Sequence, residues 1–155
     1  PEFSKEDHLY AKKYQDTLTR KDIESAYSHA GIDIVEGQVL AETVVAGDVK
    51  PVDMGGSTDV ADVSWVVPTV SLWGANYAIG TPFHSWQMTA QGKSSIAIKG
   101  MTHAAMVMAA TGSDLFTSKT ILDEAWKEHN ETVGKEGYTL PISLSSSPPI
   151  KDMAP

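Results

Sequence analysis

The pattern of apolar and polar positions predicts two helices near the start of the chain. Apolar residues recur at helical spacing through residues 4–18. The pairs Ser4–Asp7 and Thr19–Asp22 each have the spacing of a capping box, which satisfies free N–H groups at the start of a helix. The second helix would end at Gly31, a residue type favoured just after a helix.

The second half of the chain shows the same periodicity over longer stretches. A long helix is predicted from Ser94 or Ser95 to Phe116, and a last helix from Ser118 to about Val133, closed by Gly134. The long helix would pack through one face, made of Ile98, Met101, Ala105, Met108 and Ala109.

The middle of the chain favours strands. Residues 38–46 and 69–73 are β-branched and apolar, as is typical of buried strands. A short helical turn separates them; it would be capped by Thr58 or Asp59, run through Val63 to Val67 and stop at Pro68. Residues 74–93 would form an irregular loop. Helices alternating with strands predict an α/β fold. Two or three strands are few for such a sheet, so the domain is expected to be incomplete on its own.

Charge and composition exclude several classes of partner. The 155 residues include 20 acidic and 12 basic side chains, a net charge of −8 that disfavours nucleic acid and anionic membranes. Cysteine is absent, which excludes disulfides, a thiolate nucleophile and Cys-type zinc sites. The sequence has no apolar run of membrane-spanning length and no signal-peptide pattern, so a soluble, cytoplasmic protein is predicted.

The acidic residues are concentrated in the centre of the chain. Residues 25–92 hold seven acidic side chains against Lys50 alone. Such a segment is either a solvated acidic surface or a region whose field favours a cation, and composition does not choose between them.

His84 is the histidine with the strongest case for chemistry. It follows Thr81, Pro82 and Phe83 just beyond a predicted strand, and the ends of strands are where α/β sheets bind ligands. An imidazole fixed among bulky neighbours suits a metal ligand or an acid–base group. The alternative is an ordinary hydrogen-bonded loop histidine.

A second candidate is the segment from Gly55 to Asp62. Asp59 and Asp62 are one helical turn apart, so they either line a polar site or only stabilise a helix N-terminus. The glycine pair lacks the Lys-Ser/Thr ending of a phosphate-binding loop. The G-x-S-x-G pattern of serine hydrolases is also absent.

Three ordered motifs, at residues 55–67, 80–87 and 100–105, resemble the C-terminal part of aminobenzoyl-glutamate hydrolase B-subunit-type proteins. These belong to a dinuclear metallopeptidase family with carboxypeptidase G and the indole-acetyl-amino-acid amidohydrolases. The resemblance covers nearly the whole chain, from the exit of the family's lid domain at Pro1–Ser4 to its proline-rich ending at 138–149.

This resemblance implies a fold and a place within it. The chain would be the second segment of a three-layer α/β/α metallopeptidase catalytic domain. Residues 1–137 would form the C-terminal segment of that domain, with the lid domain and the N-terminal segment absent. Residues 138–155 would form an extended proline-rich tail.

The resemblance also implies metal chemistry. The complete protein would hold two divalent ions, zinc or manganese, with a glutamate of the absent segment as general base. His84 matches the family's last metal ligand. Asp59 and Thr58 match an acidic loop that supports the site, and Thr81 would help to aim His84. One departure is Ile98, which stands where relatives commonly have histidine.

The expected function is therefore part of a metal-dependent amidohydrolase that cleaves an N-acyl or aminobenzoyl amino acid, such as aminobenzoyl-glutamate. The chain alone is expected to be inactive, because a catalytic zinc needs about three protein ligands. Its expected partners are the small substrate, the missing N-terminal segment or chain, and further copies in a homo-oligomer. The alternative is a non-catalytic relative acting as a structural or binding module.

Overall fold

The computed structural model describes residues 1–45, 58–133 and 137–150. Within these ranges the chain forms six helices and no strand. The helices are α1 (Lys5–Gln15), α2 (Arg20–Ala30), α3 (Val60–Ser64), α4 (Trp86–Gln91), α5 (Ser95–Thr117) and α6 (Lys119–Val133).

The first two helices confirm the predicted capping boxes, although α1 ends at Gln15 rather than near Leu18. In α1 the Ser4 hydroxyl accepts a hydrogen bond from the Asp7 N–H, and the Asp7 side chain accepts one from the Ser4 N–H. Thr19 and Asp22 form the same reciprocal pair at α2. Gly31 ends α2 with a left-handed φ of 65°, a conformation that glycine adopts without a steric penalty.

The predicted α/β fold, and with it the three-layer α/β/α domain, is wrong for the part of the chain that the structure describes. Residues 38–45 and 69–73, predicted as strands, have no regular structure, and residue 46 lies outside the described ranges. The β-branched composition of these segments favours an extended backbone, but a strand also needs a neighbouring strand to pair its N–H and C=O groups. The backbone bond from the Ile79 N–H to the Val39 carbonyl (2.9 Å) is isolated rather than part of a ladder.

The later helices match the prediction in position but not in packing. Helices α5 and α6 have nearly the predicted bounds. Helix α3 begins after Asp59, as predicted, but ends at Ser64 rather than at residue 67, and α4 lies inside the predicted loop. Asp59 is the N-cap of α3 but makes no side-chain capping bond. The predicted packing face of α5 is exposed, and the buried residues of this helix are Ile96 and Gly100.

One compact unit contains the described parts of Pro1–Gly56 and Ser71–Thr117. Its core joins four distant parts of the sequence, and Phe3, Tyr10 and Tyr14 pack against it. The fully or nearly fully buried members are Ala11, Val39, Leu40, Ala78 and Ile96. Gln15 lies beside them and donates through Nε2 to the Gln38 carbonyl (3.0 Å), which satisfies a backbone acceptor next to the core.

An ion pair joins α1 to α5 within this unit. The Asp7 side chain is buried and accepts a hydrogen bond from Lys99 Nζ at 2.7 Å. Lys99, assisted by the Ser4 N–H and the Ser95 hydroxyl, holds the pKa of Asp7 at about 2, below the ordinary 3.8. The carboxylate is therefore more stable in the folded protein than in the unfolded chain.

We expect the free energy of unfolding of the Asp7→Asn variant to depend less on pH below about pH 4 than that of the unmodified protein. Because the folded-state pKa is depressed, ionised Asp7 contributes roughly 2 kcal/mol at neutral pH, and this is lost as the pH falls from about 4 to about 2. Urea unfolding at a series of pH values from 7 to 2 measures the difference. Asp33→Asn, at an exposed carboxylate, is the matched control. An unchanged acid slope in Asp7→Asn would contradict the assignment.

The second unit contains the described parts of Ser57–Val70 and Ser118–Pro155. His129 of α6 donates through Nε2 to the Ser64 carbonyl (3.2 Å) at the end of α3, and the Trp126 ring meets the His129 ring edge-on. The division between a domain segment ending at residue 137 and a proline-rich tail beginning at residue 138 stays a prediction.

No helix in the described ranges has both the length and the apolar character needed to cross a membrane.

Candidate functional site

His84 lies on a loop between residue 78 and α4, in the first unit. Gly80 has a φ of +90°, and a side chain there would come within 3.0 Å of Ile23 in α2, so glycine lets the loop approach that helix. Phe83 packs between Trp73 and Tyr77, with ring centroids 6.0 and 6.3 Å away. The residue before His84 is thus anchored by two aromatic rings.

A buried amide holds the other side of this loop. Gln91 of α4 is completely buried, and its Oε1 accepts from the Ala78 N–H at 2.9 Å. Its Nε2 donates to the Thr81 hydroxyl (3.1 Å) and to the Gln87 carbonyl (3.1 Å). Thr81 in turn donates to the Ala78 carbonyl at 2.7 Å. The network fixes the backbone three residues before His84.

His84 itself is exposed and has a left-handed backbone, with a φ of 57°. Among the described residues its imidazole makes no hydrogen bond. Residues other than glycine rarely adopt this conformation, although histidine tolerates it better than most. A strained backbone of this kind is found preferentially at functional sites.

We expect the His84→Gly variant to be more stable than His84→Ala by about 1 kcal/mol, because both remove the imidazole but only glycine relieves the left-handed backbone. Chemical unfolding of the two variants measures the difference. Equal stabilities would show that residue 84 does not hold a positive φ in solution.

Thr58 and Asp59 lie in the second unit, at the start of α3. Both are exposed, and the Thr58 hydroxyl contacts Asp59 Oδ1 at 3.4 Å. Among the described residues, neither side chain forms a hydrogen bond outside residues 58–60. The structure places Thr81 and His84 together on one loop, and Thr58 and Asp59 together on another.

Asp62, one helical turn after Asp59, makes a contact that the sequence did not predict. Asp62 accepts a 2.6 Å hydrogen bond from the Tyr138 hydroxyl, which raises the pKa of Tyr138. An open pocket of about 350 Å³ lies beside this bond, lined also by Trp65, Thr139 and Pro141. The local pattern relates Asp62 only to the start of a helix, and no spacing rule links it to a tyrosine 76 positions away.

A two-metal centre is not formed by the described residues alone. Within residues 1–45, 58–133 and 137–150, no three histidine or carboxylate side chains come close enough together to hold a metal ion. Of the acidic residues in the central segment, Asp48 and Asp53 lie outside these ranges. The described part of the chain therefore does not contain the complete ligand set of a metal centre.

Ile98, the departure from the family pattern, lies on α5. Its side chain is 54% exposed and lines a groove of about 290 Å³ together with Lys99, Thr102, His103 and Met106. An isoleucine at this place can make apolar contacts but no side-chain hydrogen bond.

Comparison with known proteins gives one informative match. No protein-family model and no solved structure matches the chain. The B subunit of the p-aminobenzoyl-glutamate hydrolase of Escherichia coli (strain K12) is 38% identical over 162 aligned positions, which cover 97% of this chain. The chain spans about a third (34%) of the length of that relative. Over nearly its whole length the chain is therefore similar to one third of a p-aminobenzoyl-glutamate hydrolase polypeptide, which confirms the resemblance predicted from its motifs.

Proposed function

We propose that this chain is part of a hydrolase that cleaves the amide bond of aminobenzoyl-glutamate or a related N-acyl amino acid. The observation that carries the proposal is the 38% identity, across 97% of the chain, to the E. coli p-aminobenzoyl-glutamate hydrolase polypeptide. Similarity at this level, without long unmatched stretches in this chain, favours a shared architecture in the aligned third.

Within such a hydrolase, the contribution we propose for this chain is the imidazole of His84. Three features support it. The side chain is exposed, it makes no hydrogen bond among the described residues, and its loop is fixed by the buried Gln91 amide and by Phe83. A ligand to a divalent metal needs a free ring nitrogen and a rigid backbone. Thr81 acts as a positioning residue, since its hydroxyl joins the loop to Gln91.

The dinuclear zinc or manganese centre of the complete protein is part of this proposal, but the described residues do not fit it by themselves. They supply one donor, and the remaining ligands and the general base would come from polypeptide outside them. Thr58 and Asp59 are proposed as polar support for the site. We accordingly expect the 155-residue chain alone to hydrolyse no substrate.

The experiment is a chimaera in which this chain replaces the matching third of the E. coli relative. We expect it to release glutamate from p-aminobenzoyl-glutamate and to lose that activity with a chelator. His84→Ala should lower kcat/KM at least about 100-fold and lower the bound metal measured by elemental analysis. His29→Ala, at an exposed histidine of α2, should change neither.

The outcomes separate the parts of the proposal. A folded chimaera that hydrolyses nothing would favour the non-catalytic alternative. Full activity and metal content in His84→Ala would exclude His84 as a ligand while leaving the hydrolase assignment standing.

A further inference from the structure

Three aromatic side chains meet where the chain leads into His84. The Phe83 ring lies 6.0 Å from the Trp73 ring, with a tilt of 48° between their planes, and 6.3 Å from the Tyr77 ring in an edge-on arrangement. Both distances, measured between ring centroids, are within the range of favourable aromatic pairs. Trp73, Tyr77 and Phe83, here called the aromatic cluster, therefore form one continuous surface, and its last member directly precedes His84.

The aromatic cluster is exposed, which is unusual for side chains of this size. Trp73 is 70% exposed and Phe83 is 49% exposed, whereas Tyr77 is half-buried. Within the described ranges, neither the Trp73 indole N–H nor the Tyr77 hydroxyl forms a hydrogen bond. Contiguous apolar surface that stays open to solvent commonly marks a place where a ligand binds.

The aromatic cluster is held in place by the buried Gln91 amide. Tyr77 directly precedes Ala78, whose N–H donates to Gln91 Oε1 at 2.9 Å. Phe83 lies two residues after Thr81, whose hydroxyl accepts from Gln91 Nε2 at 3.1 Å. A surface that is already rigid loses little conformational entropy when it binds a ligand, and this favours affinity.

The chemistry of the cluster selects the kind of group that fits it. Residues 71–92 contain no aspartate, glutamate, lysine or arginine, so this segment offers no cation to a carboxylate. Aromatic faces instead stack with a planar, uncharged ring. Burial raises the pKa of Tyr77, so its hydroxyl stays protonated and can donate to a carbonyl or accept from an aromatic amine. Of the two halves of aminobenzoyl-glutamate, the cluster therefore suits the aminobenzoyl ring and not the glutamate.

We propose that the aromatic cluster binds the aromatic acyl group of the substrate, with Trp73 as the specificity-determining residue that selects aryl over aliphatic acyl groups. This inference rests on the proposed function, in which His84 takes part in amide hydrolysis. The amide carbonyl of an aminobenzoyl compound is attached directly to the ring. A ring stacked on the cluster therefore keeps that carbonyl next to the loop that carries His84.

Trp86 provides a matched control. It is 62% exposed, similar to Trp73, but its ring pairs with that of Tyr14 in α1, 6.2 Å away. Among the described residues, it pairs with no member of the aromatic cluster. Because both tryptophans are exposed, Trp73→Leu and Trp86→Leu are both expected to fold.

The test uses the chimaera with the E. coli relative. In Trp73→Leu we expect the KM for p-aminobenzoyl-glutamate and the inhibition constant of p-aminobenzoate to rise at least about tenfold, because the stacking surface is lost. The kcat should change less than about threefold, since the substitution removes binding rather than chemistry. The inhibition constant of N-acetyl-glutamate, which has an aliphatic acyl group, should not change. Trp73→Phe should restore most of the affinity, and Trp86→Leu should alter none of these values.

A second measurement does not need hydrolysis. Saturation-transfer NMR should show contact between p-aminobenzoate and the chimaera, and Trp73→Leu should remove this signal while Trp86→Leu keeps it. Such binding in a chimaera that hydrolyses nothing would support the inference and count against the proposed function alone. Hydrolysis with unchanged KM and inhibition constants in Trp73→Leu would overturn the inference and leave the proposed function standing.

Three further results would also overturn the inference. The first is an unmodified chimaera that does not bind p-aminobenzoate, and the second is an equal loss of affinity in both leucine variants. The third is a concentration-dependent mass by light scattering that only Trp73→Leu abolishes, because a second copy of the chain would then cover the cluster.

Discussion

The variant Gly100→Ala is expected to destabilise the protein by about 3 kcal/mol. Gly100 is one of the two buried residues of α5, at the place where residues 75 and 76 pass close to the helix. An alanine methyl group would overlap the Asn76 Oδ1 atom and the Ala75 carbonyl oxygen, and would lie 3.0 Å from the Ala75 carbonyl carbon. Asn76 can swing away, but the Ala75 carbonyl is backbone, so either the loop or the helix must move.

Gly112→Ala is the matched control, because it makes the same change in the same helix. A methyl group there meets nothing within 4 Å, and replacing glycine by alanine in a helix stabilises it by roughly 1 kcal/mol. The free energy of unfolding, measured by urea unfolding with far-UV circular dichroism, should therefore fall for Gly100→Ala and rise for Gly112→Ala. Similar behaviour of both would contradict the close crossing at Gly100.

Gln91→Leu is the second variant with a large expected effect, a loss of about 2–4 kcal/mol. Leucine fills a similar volume but leaves the buried Ala78 N–H without an acceptor and the Thr81 hydroxyl without its donor. Each unpaired buried polar group costs about 1–3 kcal/mol. The loss should extend to the loop that carries His84.

Gln87→Leu, one turn earlier in α4, separates this network from general helix effects. Gln87 is only half-buried, and its amide contacts the Thr17 hydroxyl at 3.4 Å, so the expected change is below about 0.5 kcal/mol. Chemical unfolding gives the stabilities, and hydrogen exchange at residues 78–84 reports the loop. Fast exchange at Ala78 in Gln91→Leu alone is the expected signature. Slow exchange there would show that Gln91 does not hold the loop.

Local patterns predicted the elements whose stability is itself local. The capping boxes Ser4–Asp7 and Thr19–Asp22 and the periodicity of α5 and α6 depend on residues three or four positions apart, and all are present in the structure. Helix α4 was missed because its cap, Ser85, follows proline and aromatic residues that are typical of a loop.

The strand predictions failed because a strand is defined by its neighbour. Residues 38–45 and 69–73 have β-type composition, but nothing in their own sequence says whether a second strand lies beside them. The prediction of the packing face of α5 was wrong for a related reason. A helix that is apolar on all sides has no single face that hydrophobic periodicity can select.

The candidate site was predicted one residue at a time. His84 was singled out by its flanking proline and aromatics, and its exposed, left-handed position is compatible with a functional role that stays a prediction. The hydrogen bonds from Gln91 that support the His84 loop could not be predicted from the sequence. Gln91 belongs to no recognisable sequence motif, and its partners lie 10 and 13 residues away.

The ion pair between Asp7 and Lys99 has a consequence for the order of events during synthesis. Its two residues are 92 positions apart, and the core beside it needs residue 96 as well as residue 11. Helix α1 therefore leaves the ribosome long before its packing partners exist. At about 5–20 residues per second, it waits on the order of 5–20 seconds before the core can close. Contacts so distant in sequence also slow folding itself, so the early chain depends on its own helix caps or on chaperones during that interval.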